Sequence, residues 1–455
     1  MHGYYNEPQK QIPVRDNVDI LVVGGGPSGI MAAQAAACGG KYKVMLIESR
    51  GYIGGNLTIG LPVLAFLGPK GNQIIYGQAQ DFIDRLAAKG AASGHKACKL
   101  HMSLTIIDPE AAKNEAFAIM EECGVEILLY AFASETIVED GRVKGVVIES
   151  KAGREVIYAR RIIDCTGDAD VAFRAGVKCS KGDENGNMQP PTLMFSMKGV
   201  DVQALRDAIV REPETYDMDR MPKEQFASGK FITVGLRGQI EKARAAGLDI
   251  PVSRTILITG LQEDEIWVNM TRVCGTDATI PENYTRCEIA AHKQIPVLVE
   301  YLQKFVPGFE KAFIDKVAPF SGIRESRVIV GEYVLTAEDI LGGKQFPDPI
   351  CLAGYPVDIH HATGGDCTMV FCDDAYQIPY RVLLPKEVKS LLVAGRCSSM
   401  NHEAMAATRV MSTCMALGQA AGSAARLSLD SNSELAELDY DILRKDLLDN
   451  KVYLG

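Results

Sequence analysis

No two of the 12 cysteines stand at the two-residue spacing of a redox pair or a zinc knuckle, so the chain offers neither a dithiol centre nor a structural zinc site. The opening MHGYYNEPQKQIPVRDNVD has no charged start, apolar run or small-residue cleavage site. The chain is therefore expected in the cytoplasm, with reduced and mostly buried thiols. No stretch reads as a bilayer span: the weakly polar segment 410–429 is mostly Ala, Gly and Ser and carries Gln419 and Arg426, which predicts a packed helix and no membrane partner. A basic stripe is also missing, and the formal charge is −10, so nucleic acid is excluded as a partner. Neither an internal repeat nor a low-complexity linker marks a boundary, yet 455 residues exceed what one core usually supports, and two domains are expected.

The richest segment is VDILVVGGGPSGIMAAQAAACGGKYKVMLIES. An apolar run at 19–23 predicts a strand that turns through Gly24, Gly26 and Gly29 into an Ala-rich helix. Gly24 permits the tight turn, Gly26 lets backbone approach a pyrophosphate, and Gly29 lets the helix lie on the strand. Pro27 suits the first helical turn, and the free N–H groups there, at Ser28 and beyond, present partial positive charge to phosphates. The helix is expected to end at Gly39 and Gly40. A second strand at 43–47 then delivers Glu48 about 20 residues beyond the glycines, where an acid holds ribose hydroxyls and disfavours a 2′-phosphate. The nucleotide is thus FAD or NAD.

Two later segments repeat the plan of strand and glycine turn. ARRIIDCTGDADVAFRAG runs from a strand at 161–165 into a turn at Thr166, Gly167 and Asp168, and KSLLVAGRCSSMNHEAMAATRVMSTCMALGQAAG runs from a strand to Gly395 and a long small-residue helix. After the second strand, ESRGYIGGNLTIGLP supplies Ser49, Arg50, Gly54, Gly55 and Asn56, with the glycines bringing backbone close to a pyrophosphate and ribityl chain. In this order the motifs resemble the FAD-dependent oxidoreductase family related to fumarate reductase flavoproteins and glutathione-reductase-type enzymes. The resemblance covers both ends of the chain. It implies FAD as cofactor, Asp168 at the FAD backbone, and Gly395, Arg396, Arg409, Val410 and Met411 facing the isoalloxazine and ribityl tail. Asp168 also reads as a cap for a helix starting at 169. No second glycine fingerprint follows, so the separate nicotinamide domain of disulfide reductases is lacking and electrons are exchanged with an unidentified donor or acceptor.

The expected fold is α/β: a Rossmann-type FAD-binding domain, with a parallel sheet and a small antiparallel crossover layer, interrupted by an inserted α+β substrate domain. The division expected is 1–180 and 356–455 for the FAD-binding domain and 181–355 for the substrate domain. Helices are expected to dominate 71–123, with Asp108 capping one that opens at Pro109. Strands are expected at 125–130, 133–139 and 143–150, around a turn at Asp140 and Gly141. Further on, strands are expected at 192–199 and 255–272, and helices at 202–211 and 239–246.

The runs SGIRESRVIVGEY and AGYPVDIHHATGGDC gather Arg324, Arg327, Tyr355, Asp358, His360, His361 and Asp366 where the chain re-enters the FAD domain, a position suited to line a cleft. Exchange of hydride with flavin N5 needs a group for the accompanying proton and a group for an oxyanion or carboxylate. His360 suits the first near neutral pH and Arg324 the second, with an ion pair to Glu325 or Glu332 as the alternative fate of Arg324. His402 is a further candidate, with a buried-carbonyl or capping role as its alternative. Asp358, His360, His361, Asp366 and Cys367 match no standard zinc or iron spacing, so no metal is expected. Cys165, Cys397 and Cys414 read as packed thiols. The expected activity is hydride transfer between FAD and a carbon of a small organic substrate, either reduction of an activated C=C or oxidation of an alcohol or sugar carbon. An electron-transfer subunit and a flavin monooxygenase are the rival readings, and a homo-oligomer is compatible with the sequence.

Overall fold

The computed structural model describes residues 3–216, 225–226 and 229–455. Its largest sheet has seven strands organised around Gly153–Asp164. The first half of that strand pairs antiparallel with Arg142–Ser150, which continues to Phe132–Glu139 through a turn in which Asp140 and Gly141 have φ of 49° and 70°. Two successive left-handed residues give the turn whose twist matches a hairpin. The second half pairs in parallel with Val14–Val23 on one side and Leu391–Val393 on the other. Val44–Glu48 and Glu126–Leu129 extend the parallel part beyond Val14–Val23. The expected antiparallel strands thus continue the parallel sheet through one shared strand. The first strand is longer than 19–23 because residues from Val14 onward already pair with the hairpin side of the sheet.

Apolar strands with both faces covered need helices above and below. The helix Pro27–Ala36 lies on the sheet, and Met411–Asp430 lies across it along its length. Small residues make that crossing close: a Cβ at Gly418 would stand 2.1 Å from the Ser28 carbonyl oxygen, and one at Gly422 would stand 2.2 Å from that of Ala32. Segment 410–429 is accordingly a buried helix. No helix among the described residues is long and apolar enough to cross a membrane.

A second core surrounds a five-stranded antiparallel sheet in the order Ile232–Gly235, Thr255–Thr259, Ile266–Val268, Phe195–Lys198, Phe313–Val317. The 25-residue helix Pro281–Phe305 packs on it through Ile295, Leu298, Tyr301 and Leu302, and the Tyr301 hydroxyl meets Thr255 Oγ1 at 2.6 Å. Segment 255–272, expected as strand, is two strands joined by a turn at 260–265. In 71–123 the expected helices are Gln78–Ala88 and Pro109–Glu122, the latter capped by Asp108 at 2.8 Å from the Ala111 amide. Helices do not fill the whole segment, however: Lys96–Cys98 and Met102–Thr105 form a hairpin that Val63–Leu64 joins. These strands are too short to show a period of two above the flanking helical pattern.

Candidate functional site

The four central parallel strands end side by side, since Val23 is in register with Ile47 and with Asp164, and Asp164 with Val393. Each is followed at once by one of the glycine turns, so motifs hundreds of residues apart converge at the carboxyl edge of the sheet, where open α/β sheets bind ligands. A cavity of about 800 Å³ opens there and runs to the five-stranded sheet. From the first turn it is lined by Gly24, Gly26, Pro27 and Ser28, from the second strand's end by Glu48, Ser49, Arg50, Gly55 and Asn56. Thr166, Gly167 and Asp168 line it from the third and Gly395 and Arg396 from the fourth, while Arg409, Val410 and Met411 line it from the start of the helix Met411–Asp430. Gly29 and Gly54 do not reach it.

Gly29 lies under the turn instead: a Cβ there would be 1.8 Å from the Gly24 carbonyl oxygen, so only hydrogen fits between helix and strand. Gly24, at φ 100°, is pressed against the Cys165 carbonyl. Gly54 donates its N–H to the Gly25 carbonyl at 2.7 Å, which seats Gly55 against Gly26 and closes one wall of the cavity. Glu48 is buried and accepts from the Gly25 amide at 2.8 Å, the Ser49 hydroxyl at 2.9 Å and the Arg50 amide at 2.9 Å. These bonds hold the carboxylate at the cavity wall beside the glycine turn.

The Thr-Gly-Asp turn is governed by Asp164, a residue the sequence reading passed over. Its Oδ1 accepts from the Thr166 amide and hydroxyl, and its Oδ2 from the Val171 and Ala172 amides at 2.9 and 3.0 Å. Burial pushes its carboxyl up to about 6 against those bonds. Asp164, not Asp168, therefore satisfies the start of the helix Asp170–Arg174. Asp168 turns to the cavity, where its Oδ1 accepts from Ser326 Oγ at 2.5 Å and Arg396 Nη2 at 2.7 Å. Arg327, which also lines the cavity, ties the same turn down through its Nε to the Asp168 carbonyl at 2.7 Å and an ion pair with Asp170. An acid at a strand's end two residues before a Thr-Gly turn is the signal that would have identified Asp164.

At the far end, Arg324, Tyr355, Asp358, His360 and Arg409 line the cavity, joined by Thr192 and Asn269. Arg324 makes no ion pair with Glu325 or Glu332. It donates to the Pro190 carbonyl at 2.5 Å, Thr192 Oγ1 at 3.3 Å and Asn269 Oδ1 at 3.4 Å. Burial and the neighbouring Arg409 charge push its guanidinium down to about 9, so it remains a cation at neutral pH. Burial opposes ionisation of Asp358, but His360 and Arg409 outweigh it and hold the carboxyl far below its ordinary range. Tyr355 donates to Asp358 at 3.1 Å.

His360 does not titrate near neutral pH as expected: burial and the Arg324 charge push it down to about 3. Its Nδ1 faces the Arg272 guanidinium at 3.4 Å and must accept, which places the single proton on Nε2, 3.5 Å from Asp358. His402 stands outside the cavity lining, with Nδ1 2.7 Å from the buried Glu325. Burial lowers its affinity for a proton, and the Glu325 carboxylate more than restores it. His361 and Asp366 are turned to Thr368 and Ser253 and do not line the main cavity. Burial pushes the cavity thiols Cys165 and Cys414 up to about 12, so both are uncharged.

The residues present suit a flavin dinucleotide. A Cβ built on Gly26 meets nothing within 4 Å, which leaves backbone free to be approached from the cavity, and Glu48 and Gly395 lie on the same wall. The sequence model of the family described as FAD dependent oxidoreductase matches residues 19–447. The chain belongs to that family. As an FAD-dependent oxidoreductase it uses FAD for redox chemistry, with an α/β fold. Among curated proteins it is 29% identical over 237 residues to a thiamine thiazole synthase of Aeropyrum pernix, covering 49% of this chain and 81% of that protein. It is 29% identical over 180 residues to a digeranylgeranylglycerophospholipid reductase of Methanoculleus marisnigri, covering 36% and 42% respectively. Among solved structures, a geranylgeranyl bacteriochlorophyll reductase-like protein of Thermoplasma acidophilum aligns over 96% of this chain and 84% of its own, at 16% identity and a TM-score of 0.45. The L-proline dehydrogenase of P. horikoshii aligns over 96% and 99%, at 11% identity and a TM-score of 0.46.

Proposed function

We propose that the protein exchanges hydride between FAD and a carbon of a small, carboxylate-bearing organic substrate lying between the flavin and the five-stranded sheet. The observation that carries this reading is the arginine corner at the end of the cavity away from the glycine turn. Arg409 pairs with Asp358 at 3.5 Å, the adjoining Arg272 is held by His360 and the His361 and Asp366 carbonyls, and no described carboxylate lies within ion-pair distance of Arg324. A buried guanidinium with neutral acceptors but no ion-pair partner is costly, and a substrate carboxylate gripped by Arg324 would relieve that cost. Ile232, Val234, Ile256 and Ile258 form an apolar wall beside it that excludes water.

When bound, FAD supplies two-electron exchange at N5. The proposed seat has the pyrophosphate at Gly24, Gly26, Pro27 and Ser28, the adenosine ribose at Glu48, and the ring system toward Gly395, Arg396 and the 409–411 segment. This is the arrangement that the resemblance of the motifs to fumarate-reductase flavoproteins and glutathione-reductase-type enzymes implies, and it goes with the division into 1–180, 181–355 and 356–455. The two candidate reactions are reduction of an activated C=C and oxidation of an alcohol carbon next to the carboxylate. Anaerobic titration of the holoprotein separates them: bleaching of the flavin by 2-hydroxy acids supports oxidation, and reoxidation of dithionite-reduced flavin by unsaturated acids supports reduction. If only uncharged compounds react, or Arg324→Met leaves KM unchanged, the carboxylate reading fails.

A further inference from the structure

Two histidines line the cavity among the described residues, His101 and His360. Both ring nitrogens of His360 are engaged by Arg272 and Asp358, as shown above, and its proton affinity is too low for exchange near neutral pH. His101 is placed differently. It sits at the tip of the hairpin joining Lys96–Cys98 to Met102–Thr105, and its ring stacks on Tyr355 with centroids 6.1 Å apart. Nδ1 lies 3.5 Å from Cys98 Sγ, and Nε2 has no hydrogen-bond partner among the described residues. Met102, directly after it, has φ 61°, a left-handed conformation that a residue with a side chain adopts at a cost and that concentrates at functional sites. Its side chain is buried in the second core, which holds the hairpin tip, and His101 with it, against the cavity.

Resting on the proposed function, we propose that His101 exchanges the proton that accompanies hydride transfer, through Nε2, with Cys98 as the positioning partner that sets its charge. In oxidation of an alcohol the substrate O–H bond breaks and its proton forms the new Nε2–H bond of neutral His101. The hydrogen on that carbon leaves toward FAD with both electrons of the broken C–H bond, and the carbonyl remains. In reduction of a C=C the imidazolium returns that proton to the carbon neighbouring the one that receives hydride. The groups facing His101 are the Cys98 thiol on its own hairpin, the Tyr355 ring, and the Asp358 carboxylate on Val357–His360. Burial disfavours a charged imidazole, yet Cys98 and Asp358 outweigh it and raise His101 above its ordinary value, while His101 lowers the Cys98 thiol. Cys98 itself is buried and outside the cavity lining, which suits a partner and not a nucleophile.

The test uses holoprotein labelled with ¹³C-histidine, together with the substrate found in the flavin titration. In the wild type the His101 resonance should titrate above about 6.5, and Cys98→Ala should move that midpoint to lower pH. The rate of flavin bleaching by an alcohol donor should rise through the same midpoint. His101→Gln should lower it by about 10²- to 10⁴-fold and abolish the pH dependence without loss of bound FAD. Cys98→Ala should carry the kinetic midpoint down with the resonance. A His101 signal indifferent to Cys98→Ala, or a His101→Gln enzyme that keeps its pH dependence, would overturn the assignment even with an active enzyme. Failure of every donor and acceptor overturns the proposed function and, with it, the role of His101, while the resonance still reports whether the imidazole and thiol are coupled.

Discussion

Replacing Gly418 by alanine puts a methyl carbon 2.1 Å from the Ser28 carbonyl oxygen, in the helix crossing that backs the glycine turn. Ordinary contact begins at 3.4 Å, so the two helices must part locally by 3.4 − 2.1, about 1.3 Å. The atom met is backbone and cannot swing aside, which places the cost near the top of the roughly 1–3 kcal/mol typical of overpacking, while alanine's helix preference returns about 1 kcal/mol. A net loss of about 2 kcal/mol is expected. Ser28 lies in the first turn of the helix that faces the cavity, and displacing its amide should remove about one charge-assisted hydrogen bond, worth about 1.5–3 kcal/mol. That is roughly a 10- to 150-fold rise in the Kd for FAD. Gly422→Ala is the matched comparison, because its methyl carbon would meet the Ala32 carbonyl at 2.2 Å, one turn further from the phosphate end. Thermal unfolding of FAD-free protein should show similar losses for both variants, and fluorescence titration should show the larger loss of FAD affinity for Gly418→Ala. Unchanged stability and affinity in Gly418→Ala, or equal affinity losses in the two variants, would refute the coupling between this crossing and the cofactor site.

Arg396→Met should leave Asp168 without its buried cation and reduce the FAD retained on purification, measured from the flavin absorbance per protein, while Arg396→Lys restores part of it. Asp108→Ala should cost about 1 kcal/mol in chemical denaturation through loss of the cap on Pro109–Glu122, with FAD binding unchanged. Glu115 is buried, which raises its pKa, but Lys89 and Arg85 outweigh burial and hold it below 4.5. Its folded-state value is thus below its unfolded value, so its contribution is complete above about 4.5 and is lost as the pH falls through the lowered value. Glu115→Gln should therefore destabilise the protein at pH 7 and flatten this part of the acid limb, read from unfolding midpoints between pH 3 and 7.

The parts of the site that were legible in the sequence are those whose chemistry is local. Gly24, Gly26 and Gly29 sit where a strand passes into a helix, each announced by its apolar pattern, and the structure delivers Glu48, Thr166 and Gly395 to the same edge because each lies at or just beyond the end of a parallel strand. Asp164 stood in plain view within IIDCTGD, but two of its four hydrogen bonds, to the Val171 and Ala172 amides, depend on how the next helix starts. His360 was legible by position, whereas its proton affinity depends on burial and on Arg324, which only the packed cavity brings against it. His101 had no signal at all: its hairpin has strands of three and four residues, and its partners Tyr355 and Asp358 arrive from the other end of the chain. His402 illustrates the converse, a histidine next to a recognisable motif that the fold turns toward Glu325.

Equilibrium binding of FAD, FMN and NAD to FAD-free protein, with Glu48→Ala alongside, tests most directly whether the dinucleotide sits across the carboxyl ends of these strands. One FAD should bind per chain, with FMN and NAD far weaker because each lacks part of what the cavity spans, and Glu48→Ala should weaken FAD while leaving FMN unchanged. Equal binding of FMN and FAD, or FAD binding indifferent to Glu48→Ala, would contradict that seat.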